Sequence, residues 1–370
     1  MEIGLYLHIP FCVSKCPYCD FYSYPCPDEE TLERYTDGLC AAMDRWAERL
    51  GAVTADTVYF GGGTPSLLGG ERIARLLEHA DRRFSLTADA EITLEANPAD
   101  DLYPVLRSFA AAGGNRLSMG MQSAVPEELR RLGRRHTPAD AERAVRDARR
   151  AGIENISLDL MLGISGQTVS SVQTSVGCLA ALGATHASAY LLKLEPGTPY
   201  GACPPPLPDD DTAAQFYEVA ADALESHGYR QYEISNFAVP GRESRHNLKY
   251  WDSRPYLGLG PAASSCLDGR RFTYPRDTAA FLTGVEPLTE PDEQIPTGSP
   301  AEYALLRLRL TDGLTAAGFR ERFSAPIPAA WIRRAGQLPS TLVIANDGGI
   351  RLTRAGFLLS NSLIGHILEE

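Results

Sequence analysis

The stretch that decides the fold is Tyr6-Leu-His-Ile-Pro-Phe-Cys12-Val-Ser-Lys-Cys16-Pro-Tyr-Cys19. An apolar run of strand length leads directly into a loop with three closely spaced cysteines. Three thiolates in so short a loop can each ligate one iron of a four-iron cluster and leave the fourth iron open to a small molecule. Zinc normally takes four protein ligands, and ferredoxin-type runs supply a fourth cysteine. The spacing therefore favours a 4Fe–4S cluster on Cys12, Cys16 and Cys19; zinc, a plain electron-transfer cluster and chance spacing are the alternatives.

Outward from this loop, runs of strand length alternate with segments of helical period. The strand-like runs are residues 3–7, 57–60, 91–95, 116–121, 155–162 and 186–192, and the helical segments are 29–50, 71–83, 102–112, 139–151 and 169–182. This alternation predicts an α/β fold with a parallel sheet, either doubly wound or curved into a partial barrel. Ligands of such sheets bind at the carboxyl ends of the strands, which is where the cysteine loop lies.

The composition is that of an ordinary globular chain. Of 370 residues, 44% are hydrophobic and 22% are charged, and the net charge is −12. An acidic surface does not attract nucleic acid as a whole, so we expect no nucleic-acid partner. No run reaches the roughly 18 apolar residues of a membrane span, and the first residues form no basic leader, which predicts a cytoplasmic protein. Eight cysteines, three of them in one loop, indicate metal ligands in a reducing compartment rather than a disulfide framework.

The second half of the chain predicts further units. The proline-rich stretch 196–208 indicates a linker, followed by a helix over about 212–227 and an aromatic, glycine-rich region, 229–269, that folds back over the core. Helices are expected near 301–310, 315–323 and 329–335, before a hairpin around Asn346-Asp347-Gly348-Gly349. We therefore expect a core over 1–200, a linker helix and covering segment over 201–295, and a smaller winged-helix-like α+β domain over 296–370.

Polar residues follow several of the expected strands. Gly61-Gly62-Gly63-Thr64 comes after the second strand; glycine lets the backbone approach a ligand closely, and the Lys-Ser/Thr ending of a phosphate loop is missing. Glu95 and Gln122 end the third and fourth strands, and Asp159 interrupts the apolar fifth strand. A carboxylate in such a strand is costly unless it is paired or bound to a ligand. A structural hydrogen bond is the alternative for each residue taken singly.

These motifs together resemble the radical S-adenosyl-L-methionine (SAM) superfamily, and within it the oxygen-independent coproporphyrinogen oxidase branch. The resemblance implies a partial parallel (β/α)6 barrel that holds a 4Fe–4S cluster, with SAM on the open iron. It also assigns the residues that bind SAM or flank the cluster. By position these are Tyr6, Tyr18, Gly62, Gly63, Thr64, Glu95, Gln122, Arg134 and Asp159.

In two features the chain resembles the HemW group of heme chaperones more than it resembles the oxidase proper. The oxidase carries a cysteine two positions after the third ligand and a long amino-terminal extension, whereas this chain has Phe21 there and its motif starts at Cys12. Ser244-Arg-His246-Asn-Leu-Lys-Tyr-Trp251 is similar to the group's His-Asn-x-x-Tyr-Trp motif, which is associated with heme binding. Imidazole is a common axial ligand to heme iron, so we expect His246 to bind heme. The neighbouring cations Arg242, Arg245 and Lys249 are expected either to pair with propionates or to form a solvated face.

The resemblance thus implies a protein of porphyrin metabolism that binds heme and passes it to acceptor apo-proteins, including a peripheral membrane-associated acceptor, as a monomer or a homodimer. It leaves open whether the chain is an enzyme: coproporphyrinogen III oxidation or a methyl transfer by a related methyltransferase is the rival, and a zinc-stabilised binding module is a third alternative. One departure concerns Ser264, where the family usually has histidine, and puts any role of that histidine in doubt.

Overall fold

Six parallel strands form the centre of the molecule. The computed structural model describes residues 1–289 and 295–369. Each strand pairs with the next one along the chain, so their spatial order equals their sequence order. We label them β1 (Glu2–Ile9), β2 (Thr54–Gly62), β3 (Leu86–Ala96), β4 (Arg116–Gln122), β5 (Asn155–Leu162) and β6 (His186–Leu191). The predicted α/β class with a parallel sheet is confirmed.

Helices connect these strands and cover the outer face of the sheet. Glu29–Leu50 spans the length expected from its period, and it buries Tyr35, Leu39 and Trp46 in the main core. Thr137 and Thr168 begin two of the helices with reciprocal capping boxes. The helices between the barrel strands are Glu29–Leu50, Gly70–Phe84, Tyr103–Ala111, Pro126–Arg131, Pro138–Arg150 and Val169–Ala181.

Both ends of the sheet continue into the covering segment. Tyr256–Leu259 adds a parallel strand beside β1, followed by the antiparallel strands Ser264–Leu267, Arg270–Thr273 and Leu288–Thr289. Asn236–Ala238 pairs antiparallel with β6. The sequence did not predict the parallel strand at 256–259. The run has only four residues, Gly258 interrupts it, and proline and glycine on either side favour turns. The helices of this part are Pro199–Ala202, Asp210–Ser226, Arg245–Trp251 and Thr278–Leu282.

The carboxy-terminal part has a core of its own. Buried side chains between Ala304 and Ile367 form a second hydrophobic cluster, built on a three-stranded sheet that includes the hairpin Val343–Asn346 and Gly349–Leu352. The expected border at 295/296 lies beside residues 290–294, which are outside the described residues. The remaining elements are strand Leu314–Thr315 and helices Pro300–Arg307, Ala316–Phe323, Ala329–Gln337, Arg354–Leu358 and Ser360–Leu368. Within residues 1–289 and 295–369, no helix is both long and apolar enough to cross a membrane.

The short helix Arg245–Trp251 closes the amino-terminal end of the barrel. The carboxylate of Glu91 accepts hydrogen bonds from the backbone N–H groups of Arg245 and His246, at 3.1 and 3.0 Å. A carboxylate at a helix amino terminus is stabilised by the helix dipole. Farther along the helix, Lys249 Nζ lies 2.6 Å from Asp56 Oδ1, and both side chains are buried. This buried ion pair fixes the helix to β2.

We expect Lys249→Met to lower the free energy of unfolding by about 3 kcal/mol, because it leaves the Asp56 carboxylate buried with its main partner lost. Urea denaturation of the full chain measures this. Arg245→Met is the matched control: Arg245 also lies near Asp56, at 3.8 Å, but its side chain is 42% exposed, so its loss should cost less than about 1 kcal/mol. Equal stability of Lys249→Met and the unmodified chain would contradict this role of the pair.

Candidate functional site

The cysteine loop packs against the glycine turn that ends β2. The N–H groups of Gly63 and Thr64 donate to the carbonyls of Ile9 and Phe11, at 2.8 and 2.7 Å. A Cβ on Gly63 would lie 2.5 Å from the Phe11 carbonyl oxygen, which is too close for any side chain. Gly62 has φ +112°, a conformation that disfavours other residues. The glycines are therefore required to bring the turn against the start of the loop.

The three cysteine thiols surround one cavity of about 170 Å³, which we call the cluster pocket. The Thr64 hydroxyl donates to Cys12 Sγ at 3.7 Å, and Arg134 Nη1 donates to Cys16 Sγ at 3.6 Å. These donors leave both sulfurs within reach of hydrogen bonds that could also support a metal-bound thiolate. Within the described part of the chain, no three His, Cys, Asp or Glu side chains converge on a single ion position. In a four-iron cluster each thiolate binds a different iron, so thiols spaced around a cavity fit such a cluster.

A second cavity of about 640 Å³, the inner compartment, adjoins the cluster pocket. Its volume is in the range of small-molecule binding sites. It extends from Phe21 and Leu191 at the carboxyl ends of the strands to Arg116 and His186 near their amino ends. The two cavities share Tyr18, Cys19, Phe21, Glu95, Ser118, Asp159 and Tyr190.

Two buried carboxylates lie where the cavities meet. Glu95 accepts from the Tyr59 hydroxyl at 2.8 Å and from the Gly62 N–H at 3.1 Å. Desolvation by burial raises the pKa of Glu95 to about 7, against the opposing effect of the Tyr59 hydrogen bond. Burial likewise raises the pKa of Asp159 to about 6, although the Ser188 hydrogen bond lowers it. A cationic ligand between these groups would stabilise their charged forms.

Gln122 and Arg134 complete the wall of the cluster pocket. Gln122 ends β4 with φ +65°, a left-handed conformation that costs a non-glycine residue roughly 1–3 kcal/mol. Its side-chain oxygen accepts from the Tyr190 hydroxyl at 3.0 Å. Arg134 donates to the Gly120 carbonyl at 2.7 Å. An amide and a guanidinium group thus line the same pocket as the two carboxylates.

The structure brings most of the residues predicted for the site into the cluster pocket. Tyr6 and His246 lie outside both cavities. The Tyr6 hydroxyl is 3.0 Å from His8 Nδ1, below the glycine turn. The predicted residues that line the cluster pocket are Cys12, Cys16, Tyr18, Cys19, Gly62, Gly63, Thr64, Glu95, Gln122, Arg134 and Asp159.

His246 is buried in the closed end of the barrel, with only 1% of its surface exposed. Its Nδ1 is 2.8 Å from the Thr57 hydroxyl, and its Nε2 is 2.8 Å from the Tyr250 hydroxyl. Burial lowers the pKa of the imidazole to about 3, so the ring is neutral. As both nitrogens are engaged, the described geometry does not support the axial ligation expected from the sequence. The next residue, Asn247, lines the inner compartment instead.

The basic cluster near His246 is largely neutralised. Lys249 pairs with Asp56, and Arg245 lies 3.8 Å from Asp56 and 3.4 Å from Asp89. Arg242 is exposed on the outer surface. None of these three cations lines the cluster pocket or the inner compartment.

Sequence reasoning missed several residues that line the inner compartment, among them Arg116, Asn247 and Tyr190. Arg116 and Tyr190 could have been found from strand alternation, since every second residue of a barrel strand faces the interior. Asn247 is part of the motif that led to His246, but its place in the compartment could not be predicted because it depends on how the covering helix docks. Ser264 contacts Thr273 through its hydroxyl at 2.7 Å and lies in the antiparallel extension, away from the cavities.

Comparison with known proteins identifies the class of protein to which the barrel belongs. Residues 6–178 match the model of the Radical SAM superfamily. The structure of coproporphyrinogen III oxidase (HemN) from Escherichia coli, a radical SAM enzyme, superposes with a TM-score of 0.83, covering 99% of this chain and 90% of that chain at 22% identity. That likeness shows a shared fold. The chain thus contains a radical SAM domain, a class of domain that implies a 4Fe–4S cluster and SAM.

Similarity to individual proteins identifies the family within this superfamily. The chain is 38% identical to the heme chaperone HemW of Escherichia coli strain K12, over 84% of this chain and 83% of that protein. It is 37% identical to the heme chaperone HemW of Mycobacterium tuberculosis, over 99% and 94%. The HemW protein of Bacillus subtilis strain 168 is 33% identical over 99% of both chains. The protein belongs to the HemW family of heme chaperones.

Proposed function

We propose that this protein binds heme and passes it to acceptor apo-proteins, with a 4Fe–4S cluster and SAM bound beside the heme site. The observation that carries the proposal is that the two cavities adjoin. The three-thiol pocket shares seven lining residues with a compartment of about 640 Å³ that has an apolar rim, in a chain of the HemW family. A cofactor in the first cavity therefore borders any ligand in the second.

Cys12, Cys16 and Cys19 would hold the cluster, and the Thr64 hydroxyl and Arg134 would donate hydrogen bonds to its ligand sulfurs. Such hydrogen bonds tune the reduction potential of a cluster. When bound, the cluster supplies one-electron chemistry and an iron that is open to a small molecule. Cys26 is not in the pocket; its N–H donates to the Cys12 carbonyl at 2.9 Å and so orders the start of the loop.

SAM would be held by the polar wall of the cluster pocket. It carries a cationic sulfonium and amino group and an anionic carboxylate, so it needs acceptors and donors on opposite sides. Glu95 and Asp159 supply the carboxylates, and Arg134 and the Gln122 amide supply the donors. Gly62 and Gly63 leave room for the backbone to approach the ligand.

Heme would enter at the apolar rim. Phe21 is 66% exposed and lines both cavities, and Leu191, which also lines the inner compartment, is 37% exposed. Exposed aromatic and aliphatic side chains at a cavity mouth indicate a binding surface for an apolar face. Release to an acceptor protein would take place at the same rim.

A radical SAM enzyme is the second candidate. The two carboxylates with raised pKa values are a pattern that occurs at catalytic sites, where desolvated acids exchange protons near neutral pH. Anaerobic incubation of the reconstituted chain with coproporphyrinogen III and SAM separates the candidates. Stable heme binding and heme delivery to an apo-hemoprotein without coproporphyrinogen turnover support the chaperone, and turnover supports the enzyme.

Replacement of any one of Cys12, Cys16 or Cys19 by alanine should abolish anaerobic reconstitution of about four irons per chain, because each thiolate holds a separate iron. Iron and sulfide analysis with the cluster's absorption spectrum measures this. Cys26→Ala is the control and should reconstitute normally. Stoichiometric zinc without sulfide in anaerobically purified protein would contradict the cluster.

Asp159→Asn should weaken SAM binding by about 2 kcal/mol, or roughly thirtyfold, because it keeps the shape of the side chain and removes its charge. Calorimetric titration of the reconstituted protein provides the measurement. Asp101→Asn, on the exposed surface, is the matched control and should bind SAM as the unmodified chain does. Equal affinities of the Asp159 variant and the unmodified chain would remove Asp159 from the site.

His246→Ala should leave the Soret spectrum of bound heme unchanged and lower the free energy of unfolding by on the order of 2 kcal/mol, because it removes two buried hydrogen bonds. Asn247→Ala should instead weaken heme binding, since Asn247 lines the inner compartment. Heme titration and urea denaturation of both variants test this difference. A shifted Soret band in the His246 variant would show that the ring leaves Thr57 and Tyr250 to bind iron.

A further inference from the structure

Arg116 is a buried cation at the deep end of the inner compartment. It is the first residue of β4, two positions before Ser118, and so lies one interior layer below the cluster pocket. Its side chain lines the compartment although only 1% of the residue is exposed. The position was not part of the site expected from the sequence.

Across residues 1–289 and 295–369, Arg116 forms no ion pair within 4.0 Å, and its Nε has no hydrogen-bond partner. Other cations of the described chain differ: the buried Lys249 is paired with Asp56, and the half-buried Arg134 donates to Gly120 and Cys16. A buried guanidinium without a close anion is costly. A ligand that brings an anion would remove this cost.

The groups at the level of Arg116 are neutral. His186 is hydrogen-bonded on both nitrogens, to Ser157 at 2.7 Å and Tyr232 at 2.8 Å, and burial lowers its pKa well below the usual value. Ser157 and Asn247 also line this end of the compartment. A guanidinium with nearby hydroxyl and amide groups matches a carboxylate, which accepts several hydrogen bonds at once.

The acids that feel the charge of Arg116 lie where the two cavities meet. Glu95 and Asp159 line both the cluster pocket and the inner compartment, and a cationic ligand in the cluster pocket would take up their charge. With that ligand bound, the charge of Arg116 is left without compensation. Occupation of the cluster pocket by a cation should therefore strengthen anion binding at Arg116.

We propose that Arg116 anchors a carboxylate group of the ligand that enters the inner compartment. The proposal rests on the proposed function where the carboxylate is a heme propionate, and it stands without that function where another small acid supplies the carboxylate. Arg116 thereby selects for acidic ligands, while the apolar rim selects for their hydrophobic part.

The test uses the full chain with cluster and SAM and three probes: heme, heme dimethyl ester, in which both propionates are masked, and succinate. Unmodified protein should bind heme about tenfold or more tightly than its dimethyl ester, as expected for a charge-assisted pair. Arg116→Gln should bind the two equally, and Arg116→Lys should retain part of the preference. Arg242→Gln, an exposed cation of the covering segment, is the control and should discriminate as the unmodified chain does.

A second measurement, the melting temperature, tests whether the Arg116→Gln variant is correctly folded. The ligand-free Arg116→Gln protein should melt at the same or a higher temperature than the unmodified protein, because an uncompensated buried charge is removed. A large drop in melting temperature would overturn the proposal by showing a structural role.

The outcomes separate the two proposals. If Arg116→Gln still prefers heme over its ester, the anchor is wrong and heme binding stands. If heme does not bind but succinate stabilises the chain in an Arg116-dependent way, the anchor stands and the proposed function fails. If no probe depends on Arg116, the anchor is overturned.

Discussion

The burial of charge inside a curved parallel sheet is the constraint on which this structure depends. Alternate residues of each strand face the interior, so polar side chains on β3, β4 and β5 are removed from water whether or not they have partners. At the closed end, the interior charges are satisfied within the chain: Glu91 binds helix N–H groups and Lys249 pairs with Asp56. Glu95 and Asp159, where the two cavities meet, and Arg116, at the deep end of the inner compartment, form no ion pair within 4.0 Å across residues 1–289 and 295–369. The unpaired interior charges therefore line the two cavities that we propose as ligand sites.

The same division between paired and unpaired interior groups explains why the adjacent residues His246 and Asn247 of the His-Asn-x-x-Tyr-Trp segment have different surroundings. His246 faces the paired region, where Thr57 and Tyr250 satisfy both its nitrogens, whereas Asn247 faces the inner compartment. A helix places adjacent residues about 100° apart, so one motif can serve support and binding at once. The segment thus couples the stability of the barrel's closed end to the shape of the ligand compartment.

Much of the fold and the cluster pocket could be predicted from the sequence, because both rest on local signals. Strand and helix periods give the alternation of β1 to β6 with helices, and the cysteine spacing and the glycine turn locate the pocket at the strand ends. The positions of Tyr6, His246 and Asn247 could not be predicted in this way. They depend on which face of a strand or helix turns inward and on how the covering segment docks, which are long-range properties. The parallel strand at 256–259 was not predicted either, because glycine and turn-forming residues obscure its local signal and its partner β1 is far away in the sequence.

The most direct test of this account is a crystal structure of the reconstituted protein with SAM and heme, with anomalous data at the iron edge. The account predicts two separate iron sites: a cluster bounded by Cys12, Cys16 and Cys19, and a heme iron in the inner compartment with a propionate on the Arg116 guanidinium. Heme bound on the outer surface, or coordinated by His246 with Arg116 left unpaired, would contradict it.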